Sequence, residues 1–256
     1  MEDLIRDLIF YAFAGLLVLL RFDARRFSAA EHDDEDAAGG WRLWLRRLSW
    51  YGLGLLIVIV VYNIHSLPLS QLHLQVGTDL GQSLLAGLAL GAIGTLIAIG
   101  YGWLRFFRLR YPPPHRYPAG LLNSIGTALV DELAFRGVLL GLLIAANWPV
   151  HYAIAFQAVF YALATRLSKP GMPLGMLVLV LAQGVVGGWL TIETGGIGAS
   201  FLGHALSRLA IFVATGHAGV SRTPDEEDVR EDLEEQLPEG LEVVPEQESG
   251  VRQLLP

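Results

Sequence analysis

Hydrophobic residues along this chain come in long blocks, not in strand-like alternation. Seven stretches, at about 4–20, 49–67, 83–104, 121–146, 149–165, 172–190 and 197–216, are apolar over most of their length. A bilayer core of about 30 Å needs roughly 20 such residues in a helix. Ordinary soluble domains do not carry so many apolar runs. The pattern predicts an all-α fold, a polytopic transmembrane helical bundle of about seven spans. Eight spans, or one re-entrant segment, are the alternatives.

The polar loops between the blocks alternate in charge. Loop 21–48 carries six arginines, loop 105–118 carries four, and loop 166–171 carries Arg166 and Lys169. Loops 68–82, 147–148 and 191–196 carry no Lys or Arg. Basic residues stay on the cytoplasmic side, so the alternation predicts an outside N-terminus and a cytoplasmic tail. The first residues, Met1-Glu-Asp-Leu-Ile-Arg-Asp7, are acidic, whereas a secretory signal starts positive. Arg21, Arg25 and Arg26 read as a stop-transfer flank ahead of the weak cleavage-like Ser28-Ala-Ala30. The first segment is therefore expected to be a retained helix.

Composition agrees with a membrane protein: 53% of residues are hydrophobic and 17% charged. The net charge of −7 is unevenly placed, since 217–256 holds twelve acidic and three basic residues. The acidity belongs to that tail and implies no nucleic-acid partner. With no cysteine, disulfides, thiol catalysis and Cys-based metal or iron–sulfur sites are excluded.

Four regions are expected. Residues 1–110 form an N-terminal three-span region whose charged loop 21–48 is cytoplasmic, and 111–118 a Pro-rich linker. Residues 119–216 form a four-span core, and 217–256 an acidic cytoplasmic tail, helical or disordered. The linker Tyr111-Pro-Pro-Pro-His115 is stiff and prone to polyproline geometry. In the tail, Thr223-Pro224-Asp-Glu226 reads as a helix start. The acidic run Glu31–Asp36 reads as a solvated patch more readily than as a cation site. Glycines spaced by four, Gly87/Gly91, Gly137/Gly141 and Gly184/Gly188, predict close helix approach.

Within the spans past the linker, the charged residues are Asp131, Glu132, Arg136 and Arg208. An ionised side chain in hydrocarbon is costly unless it is paired or hydrated. Glu132 and Arg136 are i, i+4 on one helix face, as are His204 and Arg208. Asp131 lies about 100° round from Glu132, so one arginine does not easily serve both. Two readings fit these residues. One is a charge-balanced structural network. The other is a hydrolytic site, with a carboxylate activating water and histidine or arginine donating to the oxyanion.

Asp131-Glu132-Leu-Ala-Phe135-Arg136-Gly137 resembles the first motif of the CPBP family, the CAAX-protease and bacteriocin-processing (Abi) intramembrane proteases. That motif has two adjacent glutamates, three residues, then arginine. Glu193-Thr-Gly-Gly-Ile-Gly-Ala-Ser-Phe-Leu-Gly-His204-Ala-Leu resembles the third motif. The resemblance covers about 119–215 and implies an intramembrane endopeptidase. Asp131 would then be the base and Glu132–Arg136 a supporting pair, with His204 and Arg208 on the oxyanion side.

The chain departs from the family pattern at three places. Asp131 replaces the first glutamate. Thr165 stands where the second motif, here Tyr161-Ala-Leu-Ala-Thr165, has histidine; it would line the pocket and orient water. Arg208 stands where the third motif has asparagine. The implied substrate is a membrane-embedded peptide or lipidated protein in a lipid bilayer, in a bacterial inner membrane. The residues form a poor zinc set, so no metal or other cofactor is expected. The alternatives are a pseudoprotease acting as scaffold, immunity or partner-binding protein, and a small transporter. The transporter is the weaker because no inverted repeat is visible.

Overall fold

The structure, a computed structural model, describes residues 2–22, 24–27, 40–64, 67–168 and 174–216. The acidic run Glu31–Asp36, Lys169 and the tail 217–256 lie outside the described residues. Among the described residues there is no strand, and each predicted apolar stretch is helical over most of its length. The helices are α1 (Glu2–Phe22), α2 (Gly40–Ile64), α3 (Leu80–Phe106), α4 (Tyr117–Asp131), α5 (Leu140–Ala145), α6 (Val150–Ser168), α7 (Leu174–Thr194) and α8 (Gly198–Thr215). A π-helical segment, Glu132–Leu139, joins α4 to α5, so that 117–145 is one continuous rod.

Local chemistry sets the boundaries. Pro113 is extended at φ −62° and ψ 149°, as a proline run dictates, and a 3-10 turn then leads into α4 with a proline in its first turn. Asp79 caps α3 by accepting a bond from the Gln82 amide at 3.0 Å. Gly216, in the left-handed region, ends α8 with its N–H on the Phe212 carbonyl.

The burial pattern is that of a protein solvated by lipid. Leu85, Leu88 and Leu96 on α3, Leu56 and Ile59 on α2, and Val178 and Trp189 on α7 all face outward. Asn123, Thr127, Gln157, Thr191 and Ser200 are fully enclosed. Water-driven folding rarely buries polar groups while leaving so much apolar surface outside, whereas a bilayer favours that arrangement. By length and composition, four helices can cross a membrane: Trp44–Ile64, Leu80–Leu104, Leu174–Thr194 and Gly198–Thr215. Helix α1 offers the shorter apolar stretch Leu8–Phe22. The 117–145 rod carries three charges at its middle, and α6 carries Gln157, Thr165 and Arg166. The chain is an integral membrane helical bundle.

Small residues let the helices approach. On α3, a Cβ added to Gly91 would lie 2.6 Å from a Leu206 methyl of α8, and one on Gly87 2.9 Å from Leu202. On α7, one on Gly184 would meet Ala158 of α6 at 2.8 Å. The pair Gly137/Gly141 does something other than predicted. It receives a loop, not a helix: a Cβ on Gly141 would lie 2.7 Å from both the Gln71 carbonyl oxygen and Leu72 Cα. Residues 67–79 insert one side chain, Leu72, which is fully buried, while Leu69 and Val76 stay exposed. The segment is tied to the α7–α8 turn by Thr78 N–H to Thr194 O (2.8 Å), Ile197 N–H to Gln75 O (2.9 Å) and Gly198 N–H to Val76 O (2.9 Å). These bonds hold the non-helical segment against protein backbone.

Candidate functional site

Helix α4 presents Asn123, Thr127 and Asp131 at successive four-residue steps, all buried. Asn123 Oδ1 accepts from the Tyr51 hydroxyl (2.9 Å) and the Thr127 hydroxyl (3.0 Å). One turn further on, Asp131 faces two donors. Its Oδ1 is ion-paired with Arg21 of α1. Its Oδ2 accepts from the Tyr161 hydroxyl of α6 at 3.3 Å.

Arg21 sits in an aromatic socket. Its guanidinium carbon lies 5.5 Å from the Trp50 ring centroid, 5.9 Å from Tyr161 and 6.0 Å from Phe135, within cation–π range. The Trp50 indole N–H donates to the Leu20 carbonyl at 3.0 Å, which fixes the backbone just ahead of the arginine. The sequence places Arg21 in a cytoplasmic flank. The structure corrects this: α1 continues to Phe22, and Arg21 is buried at the heart of the bundle.

Glu132 opens the π segment and turns away from Asp131. Its Oε1 lies 2.8 Å from His204 Nδ1 of α8 and 3.5 Å from Arg136. Arg136 is fully enclosed, and its guanidinium lies 4.0 Å above the centre of the Tyr161 ring. Gly187 of α7 makes room for it, since a Cβ there would be 3.3 Å from Arg136 Nε. The expectation that one arginine would not serve both carboxylates agrees with this geometry: Arg136 takes Glu132, and Arg21 takes Asp131. A π turn widens the helix and is commonly found at functional sites.

Tyr161 is the hub. Besides its bond to Asp131, its hydroxyl lies 3.5 Å from His204 Nε2. Its ring packs edge-on against Phe135 at 5.1 Å and against His204 at 6.2 Å. Asp131, Arg136 and His204 thus converge on one tyrosine, and Glu132 backs His204 and Arg136. Thr165 is buried on α6, one turn past Tyr161, and Arg208 on α8, one turn past His204. Neither Tyr161 nor Arg21 stands out as a site residue in the sequence. Tyr161 is visible there as the aromatic of the degenerate second motif, and Arg21 as an arginine within reach of an apolar run.

Beside the polar cluster lies an apolar cavity of about 450 Å³, lined by Leu80, Leu84, Leu129, Leu133, Phe201 and Leu202 among others. Leu133 follows Glu132 directly, and Phe201 is one helical turn before His204, so the cavity and the charged residues share two elements. Among the described residues, no three His, Asp or Glu side chains are grouped so as to hold a metal ion.

Residues 113–210 match the family model of the type II CAAX prenyl endopeptidase Rce1-like proteins. That stretch, less than half of the chain, is similar to the CAAX-protease family. It spans the site residues of α4, the π segment, α6 and α8, and leaves α1, with Arg21, outside. No curated protein and no solved structure matches the chain.

Proposed function

We propose that the chain is a CAAX-type intramembrane endopeptidase, which hydrolyses a peptide bond in a membrane-anchored peptide or lipidated protein. The observation that carries this reading is the convergence of Asp131 and His204 on the Tyr161 hydroxyl inside the bundle. Amide hydrolysis needs a base for water and a donor for the developing oxyanion, held at fixed positions away from bulk solvent. Two acceptors around one hydroxyl, framed by two buried arginines, meet that need. In the assignment implied by the family motifs, Asp131 is the base and Glu132–Arg136 the support. His204 and Arg208 form the oxyanion side, and Thr165 lines the pocket. The adjoining apolar cavity suits the lipid chain or apolar side chains of such a substrate. The protein would lie in a bacterial inner membrane with its N-terminus outside and its acidic tail in the cytoplasm.

A second reading, a non-catalytic descendant that binds membrane segments, is favoured by one observation: Asp131 already holds a buried arginine. The two are separated by reconstituting the protein in nanodiscs with an internally quenched, S-farnesylated peptide bearing a CAAX-type tail. The endopeptidase reading expects cleavage that His204→Ala abolishes. If neither this peptide nor an unlipidated transmembrane peptide is cut, the pseudoprotease takes its place.

A further inference from the structure

The family pattern puts the base at Asp131, but the geometry points to His204. We infer that the water-activating base is the Glu132–His204 pair, and that Asp131 with Arg21 positions Tyr161. This rests on the endopeptidase reading.

Both oxygens of Asp131 face donors, Oδ1 toward the Arg21 guanidinium and Oδ2 toward the Tyr161 hydroxyl. An arginine on one oxygen and a hydroxyl on the other crowd the approach of a water to either of them. Neither donor is loosely held. Arg21 is boxed by Trp50, Phe135 and Tyr161, and Tyr161 is clamped between Phe135 and the Arg136 guanidinium.

His204 is arranged the other way. Its Nδ1 lies 2.8 Å from Glu132 Oε1. An ionised carboxylate only accepts, so Nδ1 carries the ring proton and Nε2 keeps its lone pair. That lone pair looks toward the Tyr161 hydroxyl across 3.5 Å. This is too long for a good hydrogen bond, and leaves the lone pair available to a water. Glu132 is in turn fixed by Arg136 on the same helix face. A carboxylate behind one ring nitrogen, with the other aimed at the reacting group, is the logic of a Ser-His-Asp triad with water in place of serine.

The step balances without a further reactant. Water oxygen bonds to the peptide carbonyl carbon while one water proton passes to His204 Nε2, and the imidazolium is held against Glu132. As the C–N bond breaks, that proton passes to the departing nitrogen, which leaves as an amine. His204 returns to neutral, and the second water proton stays with the new carboxyl group. Tyr161, whose single proton goes to Asp131, is a positioning residue beside Nε2.

The test compares His204→Gln, Glu132→Gln and Asp131→Asn on the same quenched, farnesylated peptide in nanodiscs. Asp131→Asn leaves Arg21 buried without its partner, so the double variant Arg21→Met/Asp131→Asn is included to keep a folded comparison. Losing a general base costs about 10²- to 10⁴-fold, and that loss is expected for His204→Gln, with Glu132→Gln close to it. The Arg21→Met/Asp131→Asn protein should lose far less. The reverse order, with the folded Asp131 variants inactive and Glu132→Gln active, overturns the inference but leaves the protease standing. Nitrogen-15 NMR of labelled histidine, assigned with His204→Gln, reads the tautomer without any substrate. The proton is expected on Nδ1, with a shift toward Nε2 in Glu132→Gln. A proton on Nε2 in the unmodified protein overturns the base role. Absence of any cleavage by the unmodified protein sinks the base role and the endopeptidase together.

Discussion

Arg21 and Asp131, 110 positions apart in sequence, form an ion pair enclosed in the bundle, with 6% and 1% of their side chains exposed. The pair joins the N-terminal helix to the rod that carries the family motif. Burying two charges is expensive, and the attraction offsets that cost only while both partners are present. Arg21→Ala should therefore destabilise the protein by about 3–5 kcal/mol. Arg21→Met combined with Asp131→Asn should recover most of the loss. Thermal unfolding in detergent, followed by intrinsic fluorescence, measures both. Equal stability of the Arg21→Ala protein and its parent would show that the pair contributes nothing.

The loop 67–79 depends on the missing side chain at position 141. A Cβ there meets backbone atoms of Gln71 and Leu72 at 2.7 Å, and backbone has little room to yield. Gly141→Ala should cost about 1–3 kcal/mol, the range for overpacking. Gly137→Ala meets the Leu74 Cδ2 methyl at 2.6 Å, the far end of a flexible side chain, so its cost should be smaller. The same unfolding measurement ranks the two, and the reverse order would contradict the loop's placement.

His73, in that loop, gives its stability a pH dependence. Burial holds the imidazole below its ordinary value of 6.5, and its Nδ1 is buried without a hydrogen-bond partner among the described residues. The unfolded chain therefore takes up the proton more readily than the folded one. Stability is complete above pH 6.5 and declines as the pH falls below it. His73→Asn suits the left-handed backbone at φ 52° and should flatten this part of the curve of melting temperature against pH. If the two curves keep the same acid slope, the dependence arises elsewhere.

The apolar cavity offers a test of substrate binding apart from chemistry. Leu133→Trp fills part of it with an indole. If a lipid chain lies there in both ground and transition states, KM for the farnesylated peptide should rise severalfold with kcat little changed. Val178→Trp, on the outward face of α7, serves as the control. A fall in kcat at constant KM would place the lipid chain elsewhere.

Much of this was legible in the sequence, because it follows from periodicity and cost. Apolar blocks of bilayer length became the helices, and charges too expensive to leave in lipid became the centre of the cluster. The i, i+4 spacing of Glu132 and Arg136 was enough to pair them. Arg21 was not legible, because an arginine at the end of an apolar run reads equally well as an interfacial anchor; the aromatic socket that buries it comes from α2, the π segment and α6. The hydroxyl of Tyr161 was hidden because in sequence it counts only as an aromatic. The loop at 67–79 carries no Lys or Arg and no strong period, so nothing separated it from an ordinary extramembrane connection.

The π segment Glu132–Leu139 has a consequence for how the protein tolerates change. In an α-helix each residue advances the side chains by about 100°, whereas the wider winding here sets a different register between its two ends. Deleting any one residue from 132–139, even an apolar one that touches no charge, would tend to rewind the rod as plain α-helix. Gly137 and Gly141 would then turn away from the loop they now accept, or Asp131 away from Arg21. A length change of one would thus be felt at both ends of the rod, and a substitution at the same position only where it stands.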